Sequence, residues 1–352
     1  MTHTMLAAVL HGARDVRVEP CPRPEARPGM VLLRVRRAGI CGSDSHYFAH
    51  GECGPFVPTR PFILGHEFVA DVVARGAGVS DPGIGARVAV NPARACGACP
   101  YCRGGRRNLC RATIMLGSAS TTPPTDGAFA EFVAVRADQC HVLPPELDDG
   151  VGTMIEPLAV ALHAVKRAGD VSAARVLVMG GGPIGLLAAM VARVCGAPTV
   201  ALADVVPERR RLAVDVGVDM AIDPTSRRLT EQVGDPSGDG FDVVLEASGA
   251  RAALRQAFDL VRPGGTIVQI GTLGTEDVPL PANQLMLREL RLVGSFRYGD
   301  VFDEAIRLAA CGRLDVRPLI TGVFPLTGSP EALRHADDKA RALKIHIEVT
   351  CP

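Results

Sequence analysis

The sequence has no tryptophan, and aromatic residues make up only 4% of its 352 residues. It also has no net charge, because 38 lysine and arginine residues balance 38 aspartate and glutamate residues. A balanced chain gives no general electrostatic reason to bind nucleic acid or a membrane surface, so we expect neither partner. No run of about 18 apolar residues is present, which argues against a membrane-spanning helix.

The first residues also lack a basic segment followed by a long apolar stretch, so we expect no signal peptide and a cytoplasmic protein. Eleven cysteines in an intracellular chain are better explained by metal ligands and scattered buried thiols than by a disulfide framework. Six of them receive no role from the sequence: Cys21, Cys53, Cys140, Cys195, Cys311 and Cys351.

The length suits two domains, and the texture of the sequence changes near Glu156. Before that point, short β-type runs at 30–35, 68–73 and 87–90 predict a mostly β domain. After it, apolar strands alternate with helical segments, which predicts a parallel doubly wound sheet and an α/β fold. The predicted strands are 175–179, 199–203, 241–246, 266–270 and 290–293, and the predicted helices 183–194, 207–216 and 251–261. The tail predicts helices at 305–310 and 331–339 and a strand at 344–349.

A glycine fingerprint lies between the first of these strands and its helix. Gly180, Gly182 and Gly185 form a G-x-G-x-x-G pattern, which allows a tight turn and close approach of a pyrophosphate to the helix N-terminus. Asp204 ends the next strand, where a carboxylate can bind both ribose hydroxyls and repel a 2′-phosphate. We therefore expect NAD, with NADP the lesser alternative, because the arginines that begin at Arg209 either contact the cofactor or form a solvated helix face. The predicted cofactor-binding set is Gly180, Gly182, Pro183, Ile184, Gly185, Asp204 and Arg209.

Four cysteines lie close together at C-x2-C-x2-C-x7-C spacing: Cys96, Cys99, Cys102 and Cys110. Four thiolates form the tetrahedral shell of a structural zinc ion, which has no open position for a substrate. An iron–sulfur cluster is the alternative interpretation, and unligated thiols are a third. We expect this loop to be scaffold.

A second metal site needs other residues. Cys41, His66 and Glu156 could bind zinc through three protein groups and leave a fourth position open. Each also has an ordinary explanation, as a buried thiol, a hydrogen-bonded polar side chain and a helix start, respectively. Their sequence separation does not establish that they meet.

Several segments resemble the zinc-dependent medium-chain alcohol dehydrogenase superfamily, in its polyol dehydrogenase branch. They are AGICGSDSHY at 38–47, GHE at 65–67, the four-cysteine loop, EPLAVALHA at 156–164, GGGPIG at 180–185 and GSFRY at 294–298. The resemblance covers essentially the whole chain. It implies that residues 1–155 and 296–352 form a catalytic domain around a GroES-like β-barrel, and that 156–295 form a Rossmann NAD-binding domain.

The resemblance also implies two zinc ions per chain. Cys41, His66 and Glu156 would hold the catalytic ion, with Glu67 as an alternate or water-mediated ligand. Glu156 stands where the alcohol dehydrogenases proper have a second cysteine, a departure that polyol dehydrogenases share. Members of the family are commonly homotetramers and sometimes dimers, so we expect a homo-oligomer.

The implied reaction is the NAD-linked oxidation of a secondary alcohol. Ser43 and His46 resemble the family's proton relay, although Ser43 could instead cap a helix and His46 could simply form hydrogen bonds. The implied substrate is the sugar acid L-idonate, with sorbitol, xylitol and L-threonine as alternatives and a non-catalytic NAD- and zinc-binding protein as a remote one. The expected pocket residues are Tyr47, Ser118, Arg297 and Tyr298, where Tyr47 could merely pack and Arg297 could bridge the domains.

Overall fold

The computed structural model describes residues 4–225, 240–338 and 341–349, and the chain divides into two compact units. Unit 1 comprises Met1–Glu156, Phe302–Ala310 and Leu319–Pro352, and unit 2 comprises Pro157–Val301 and Cys311–Pro318. These units differ from the expected domains at Glu156, which lies in unit 1, and at residues 296–301 and 311–318, which lie in unit 2.

Unit 1 is built mainly from β-strands. Its described strands are β1 Thr4–Gly12, β2 Asp15–Pro22, β3 Met30–Gly39, β4 Phe62–Ile63, β5 Glu67–Arg75, β6 Arg87–Val90, β7 Ala93–Arg94, β8 Ile114–Met115, β9 Phe132–Arg136, β10 Cys140–Val142, β17 Ile320–Pro325 and β18 Lys344–Glu348. The main sheet has the order β10-β6-β5-β3-β18-β17, with β9 also paired to β3. A smaller sheet has the order β2-β1-β4, and β7 pairs with β8.

The main sheet of unit 1 brings together strands that are far apart in the sequence. The centre of this sheet is β3, which pairs with β5 on one edge and with both β9 and β18 along its length. Its apolar side chains, such as Leu33 and Val35, are fully buried in the core of this unit. The helices of unit 1 are Gly42–His50, Pro100–Arg103, Asp149–Thr153, Phe302–Ala310 and Ser329–Asp337.

The described part of unit 2 contains one six-stranded parallel sheet. Its strands are β11 Arg175–Met179, β12 Thr199–Ala203, β13 Met220–Ile222, β14 Phe241–Glu246, β15 Val261–Gln269 and β16 Arg291–Gly294. Its helices are Ile155–Ala168, which begins at the end of unit 1, Pro183–Val194, Pro207–Asp215, Arg251–Leu260 and Ala282–Leu287. The strand order β13-β12-β11-β14-β15-β16 is that of a Rossmann fold, so the expected doubly wound sheet is confirmed.

The predicted elements of unit 2 agree closely with the structure. Three strands and the helix after the fingerprint have the predicted bounds, and β15 starts five residues earlier than predicted. The helix predicted at 331–339 is Ser329–Asp337, and residues 339–340 lie outside the described part of the chain. Across the described residues, none of the helices is both long and apolar enough to cross a membrane.

Candidate metal and cofactor sites

Cys41 lies at the N-terminus of the helix Gly42–His50, two residues after the end of β3. The buried carboxylate of Asp44, one turn into that helix, accepts a hydrogen bond from the backbone N–H of Cys41 (2.9 Å). Its other oxygen accepts one from the N–H of Gly65 (3.1 Å). A single side chain therefore fixes the backbone beside two predicted ligands, Cys41 and His66.

His66 and Glu67 lie at the start of β5, after a tightly packed glycine. Gly65 has φ +92°, and a Cβ there would lie 2.2 Å from the Phe129 ring, so only glycine fits. His66 is 5% exposed and Glu67 is 1% exposed. Both polar side chains are thus withdrawn from water, which is costly unless they have partners.

The ligand atoms of Cys41, His66 and Glu67 all lie within 4.8 Å of one another. The Nδ1 atom of His66 is buried and has no hydrogen-bond partner among the described residues. A thiolate, an imidazole and a carboxylate are zinc donors at about 2.0–2.3 Å from the ion. The donor set therefore fits a zinc ion, while the Nδ1 atom of His66 lies 3.9 Å from the Asp44 carboxylate.

Glu156 lies near this group without being part of it. Burial is the main cause that raises the pKa of its carboxyl group to about 7, against the lowering effect of the His66 and Lys344 charges and with a further raising effect of Glu67. The structure thus brings Cys41, His66 and Glu67 together as donors and places Glu156 within electrostatic reach of them.

Two residues of this site were missed by the sequence analysis. Asp44 fixes the backbone beside Cys41, and the ammonium group of the buried Lys344 forms an ion pair with Glu67. The acidic residue in C-G-S-D was a signal for Asp44, because a carboxylate in the first helical turn often caps the backbone. Lys344 offered no local signal, since its partner is distant in the sequence.

The expected relay residues and the pocket candidate Tyr47 lie on the same helix of unit 1. Ser43 is half-buried in its first turn, and His46 is exposed, with its ring 5.8 Å from that of His50. Tyr47 is 1% exposed, and its hydroxyl oxygen accepts a hydrogen bond from the N–H of Ala119 (2.9 Å). Burial raises the pKa of Tyr47, whereas a hydrogen bond with Ser118 lowers it, so the structure brings Tyr47 and Ser118 together.

The thiols of the four-cysteine loop form a compact cluster. The Sγ atom of Cys102 lies 3.5 Å from that of Cys99 and 3.9 Å from that of Cys96. Sulfurs bound tetrahedrally to one zinc ion lie about 3.8 Å apart, given bonds of about 2.3 Å. The backbone N–H of Cys96 donates to the sulfur of Cys110 (3.2 Å), which favours the thiolate form. The cluster therefore fits a closed zinc site.

The glycine fingerprint has the expected geometry in unit 2. Gly180 has φ +105°, and a Cβ on Gly185 would lie 1.8 Å from the carbonyl oxygen of Gly180. The carboxylate of Asp204 is 7% exposed and accepts a hydrogen bond from the N–H of Gly181 (2.6 Å). Arg209 lies 3.7 Å from the same carboxylate oxygen. Gly182 caps the helix that begins at Pro183, and Ile184 is half-buried in its first turn.

The remaining pocket candidates also belong to unit 2. Arg297 has φ +54°, an unusual conformation for a non-glycine residue, and its guanidinium lies 4.8 Å from the centre of the Phe296 ring. Tyr298 is 3% exposed.

Comparison with known proteins gives concordant results. Residues 27–145 match the family described as alcohol dehydrogenase GroES-like domain, and residues 183–310 match that described as zinc-binding dehydrogenase. The chain is 35% identical over 353 residues to a sorbitol dehydrogenase of Bacillus subtilis, covering 99% of both chains.

Two solved structures are similar over nearly the whole chain. The L-idonate 5-dehydrogenase of Escherichia coli has a TM-score of 0.93 and 33% identity, with 99% of both chains covered. A zinc-binding dehydrogenase of Sinorhizobium meliloti bound to NADP has a TM-score of 0.90 and 35% identity, covering 99% of this chain and 100% of that one.

Proposed function

Since this chain belongs to the zinc-dependent polyol dehydrogenases of the medium-chain alcohol dehydrogenase superfamily, with a GroES-like and a Rossmann domain, we propose that it interconverts L-idonate and 5-keto-D-gluconate with NAD. The observation that carries this proposal is the similarity to the L-idonate 5-dehydrogenase of Escherichia coli at a TM-score of 0.93. The group of Cys41 with the buried His66 and Glu67 supports the same chemistry.

The residues of unit 1 have separate roles in metal binding and proton transfer. Cys41, His66 and one carboxylate hold the metal, and a bound zinc ion supplies Lewis acidity that makes the substrate hydroxyl a better proton donor. Ser43 accepts that proton and releases its own hydroxyl proton toward the exposed His46, whose imidazole passes a proton to solvent. Ser43→Ala should lower kcat about a hundredfold or more while NAD affinity stays nearly unchanged. Wild-type turnover in that variant would remove Ser43 from the relay.

A carboxylate group on the substrate needs a cationic partner. Arg297 is the residue we assign to it, because a guanidinium can donate two parallel hydrogen bonds to a carboxylate. Within unit 1, Tyr47 and the neighbouring Ser118 are further substrate-binding residues in this proposal, as is Tyr298 of unit 2. Arg297→Lys should raise the KM for L-idonate and leave turnover of a neutral polyol less affected.

We assign NAD as the cofactor because the carboxylate of Asp204 already accepts a backbone hydrogen bond within the glycine loop and would repel a 2′-phosphate. Arg209 next to it is the feature that favours some use of NADP. Steady-state kinetics with each cofactor decide between them: a higher kcat/KM with NADP would overturn the assignment.

A neutral polyol is the second candidate substrate, because curated relatives include sorbitol dehydrogenases and D-xylulose reductases at 35–38% identity. The decisive experiment measures NADH formation with L-idonate, sorbitol, xylitol, L-threonine and D-gluconate in parallel. Fast oxidation of sorbitol with none of L-idonate would reject the sugar acid.

The zinc stoichiometry separates an enzyme from a non-catalytic binding protein. We expect two zinc ions per chain in the wild type, one in Cys41→Ser, and a loss of stability in Cys110→Ser. If the wild type binds one zinc ion and Cys41→Ser retains it, that ion is the structural one and the protein is a non-catalytic binding protein. We further propose a cytoplasmic homo-oligomer, a tetramer or a dimer, to be measured by light scattering and cell fractionation.

A further inference from the structure

The segment that follows β16 contains a strained residue. Arg297 has φ +54°, in the left-handed region that a residue with a side chain adopts only at a cost in free energy. Such a conformation persists only where the surrounding structure holds it, and strained residues of this kind cluster at binding and active sites. The contacts that hold residues 294–299 therefore bear on the role of Arg297.

One end of this segment is fixed to the parallel sheet of unit 2. The backbone N–H of Ser295 donates to the carbonyl oxygen of Gln269 at the end of β15 (2.9 Å). The side-chain amide of Gln269 donates in turn to the buried carboxylate of Glu246 (2.6 Å) and to the carbonyl oxygen of Gly271 (2.7 Å). The residue that binds Ser295 is thus itself fixed by two hydrogen bonds.

The helix Ile155–Ala168 contacts both ends of the same segment. The Nε–H group of Arg167 donates to the carbonyl oxygen of Gly294 (3.0 Å). The half-buried ring of His163 lies against Gly299, since a Cβ on that glycine would lie 3.4 Å from the Nδ1 atom and 3.5 Å from the Cε1 atom of the ring. Helical residues that are four apart share one face, so a single face of this helix supports the segment at both ends.

The residues between these contacts have little freedom to move. Tyr298 is 3% exposed, so a change of backbone direction next to it would expose a large aromatic side chain. On the other side, the guanidinium of Arg297 lies 4.8 Å from the centre of the Phe296 ring. The N–H of Val301 donates to the carbonyl oxygen of Gly299 (2.9 Å), which closes the end of the segment. Arg297 therefore leaves its left-handed conformation only if one of these contacts is lost.

Resting on the function proposed above, we propose that Arg167 and His163 are positioning residues for the carboxylate group of the substrate. They hold Gly294 and Gly299, and thereby keep Arg297 in the left-handed conformation in which its guanidinium receives a sugar acid. Loss of either contact lets the backbone relax to a negative φ, which moves the guanidinium. A neutral polyol does not need this guanidinium, so the two residues favour an anionic substrate over a neutral one.

Steady-state kinetics with NAD compare L-idonate and sorbitol in each variant. Arg167→Met removes the donor to Gly294, and His163→Ala removes the ring that lies against Gly299. Each should raise the KM for L-idonate about tenfold, the factor that corresponds to the strain of one left-handed residue, and change the KM for sorbitol less than about twofold. An equal rise for both substrates would indicate a general loss of structure and overturn the proposal.

Two further variants of arginine serve as rescue and control. Arg167→Lys keeps a group that can donate to the same carbonyl oxygen, so it should restore most of the wild-type KM for L-idonate. Arg255→Met is the matched control, because Arg255 pairs with Asp259 (3.0 Å) on another helix of unit 2, and it should match the wild type with both substrates. A rise in the KM for L-idonate in Arg255→Met equal to that in Arg167→Met would overturn the proposal.

The double variant Arg167→Met/Arg297→Lys tests whether Arg167 acts through Arg297. If it does, the KM for L-idonate in the double variant should equal that of Arg297→Lys alone, because the positioned guanidinium is already absent. If the two separate effects multiply instead, Arg167 acts by another route and the proposal is wrong.

Digestion with trypsin gives a measurement that needs no substrate. Trypsin cleaves after arginine where the backbone opens locally, so the rate of cleavage between Arg297 and Tyr298, followed by mass spectrometry, reports how firmly the segment is held. Arg167→Met and His163→Ala should raise this rate roughly fivefold or more, and Arg255→Met should leave it at the wild-type value. An unchanged rate in Arg167→Met and His163→Ala overturns the proposal.

The proposed function fails by a different result. If the wild type oxidises sorbitol but not L-idonate, the assignment of a sugar acid is rejected, and the trypsin rates still decide whether the helix holds the segment. If the wild type oxidises L-idonate while the variants keep its KM and the wild-type cleavage rate, only the positioning role of Arg167 and His163 is rejected.

Discussion

Asp44 uses both oxygens of one carboxylate to hold two separate chain segments. Because each oxygen accepts a backbone N–H, one beside Cys41 and one beside His66, the spacing of the two ligands depends on this side chain. Asp44→Asn keeps the shape but turns an N–H donor toward one of these N–H groups. We expect about a 10- to 100-fold loss of affinity at the catalytic zinc site.

Zinc content after dialysis against graded chelator measures this effect. Asp126→Asn is a suitable control, because its carboxylate also accepts a backbone N–H, that of Ile63 (3.0 Å), and Asp126 is not among the candidate zinc donors. Equal zinc retention in Asp44→Asn and the wild type would show that Asp44 does not position the ligands.

His346 predicts a sensitivity of unit 1 to acid. It is fully buried in β18, and neither ring nitrogen has a hydrogen-bond partner among the described residues. Burial, together with the charges of Lys344 and Arg37, lowers the pKa of His346 from 6.5 to about 3, against a smaller opposite effect of Asp148. The unfolded chain therefore binds more protons between pH 6.5 and pH 3, so stability falls as the pH falls through this window.

The size of this effect follows from the shift in pKa. The free energy of unfolding should decrease by about 2 kcal/mol between pH 8 and pH 5 from this residue. Denaturant titrations across that range give the free energy of unfolding at each pH. This free energy should depend less on pH in His346→Leu, which removes the proton site and leaves no polar group unpaired. His50→Gln, at an exposed position, should keep the pH dependence of the wild type. An unchanged pH dependence in His346→Leu would show that His346 is not the cause of the acid sensitivity.

Among single residues, the sequence predicted those functional residues that belong to a pattern of close neighbours along the chain. The four-cysteine spacing and the glycine fingerprint are local patterns, and the structure gathers their atoms as a metal site and a cofactor loop require. Asp44 had a local signal for its contact with Cys41, whereas Lys344 and His346 depend on strand pairing between distant segments, that of β18 with β3. No spacing rule expresses such a contact.

Among the elements, five of the six described strands of unit 2 were predicted, all except the three-residue β13, because both faces of a parallel sheet are buried. Their sequences are therefore continuous apolar runs, as in 175–179 and 199–203. The hairpin of β1 and β2 and the two-residue strands of unit 1 were missed, since they have one exposed face or are too short for a pattern. The start of β15 was also missed, because Pro263 and Gly264 predict a turn there.

The carboxyl end of β14 carries a buried acid that organises the loop against the fingerprint. Glu246 is fully buried and accepts hydrogen bonds from the N–H groups of Ser248 (2.9 Å) and Gly249 (3.0 Å) and from the amide of Gln269 (2.6 Å). A Cβ on Gly180 would lie 2.8 Å from Ser248, so this loop packs directly on the first fingerprint glycine.

Glu246→Gln should therefore damage the cofactor site although it is nearly isosteric. The amide has one acceptor oxygen for at least three donors, and each lost charge-assisted bond is worth about 1.5–3 kcal/mol. We expect roughly tenfold weaker NADH binding and a lower free energy of unfolding, measured by NADH fluorescence and denaturant titration. Glu276→Gln, at a side chain 77% exposed, should match the wild type in both measurements. Unaltered NADH affinity in Glu246→Gln would show that the carboxylate does not shape the site.

For the whole molecule, the two chemical functions belong to different units. Both candidate metal groups lie in unit 1, and the glycine fingerprint with Asp204 lies in unit 2. The hydrogen bonds that hold each site come from residues of its own unit, as Asp44 does for the metal group and Glu246 for the cofactor loop. Each site should therefore keep its local geometry when the other is disabled.

Removal of the metal from the Cys41 site should thus abolish turnover and leave NADH binding within about threefold of the untreated protein, since a change below about 0.7 kcal/mol is expected for a site that loses none of its own contacts. NADH fluorescence on the chelated protein measures this, with activity restored by added zinc as the control.

The reciprocal variant is Gly180→Ala, whose Cβ would meet the backbone of Ser248 at 2.8 Å and whose φ of +105° disfavours alanine. It should lose NADH binding and retain two zinc ions per chain. Loss of NADH binding on metal removal, or of zinc in Gly180→Ala, would mean that the two sites depend on each other for their structure.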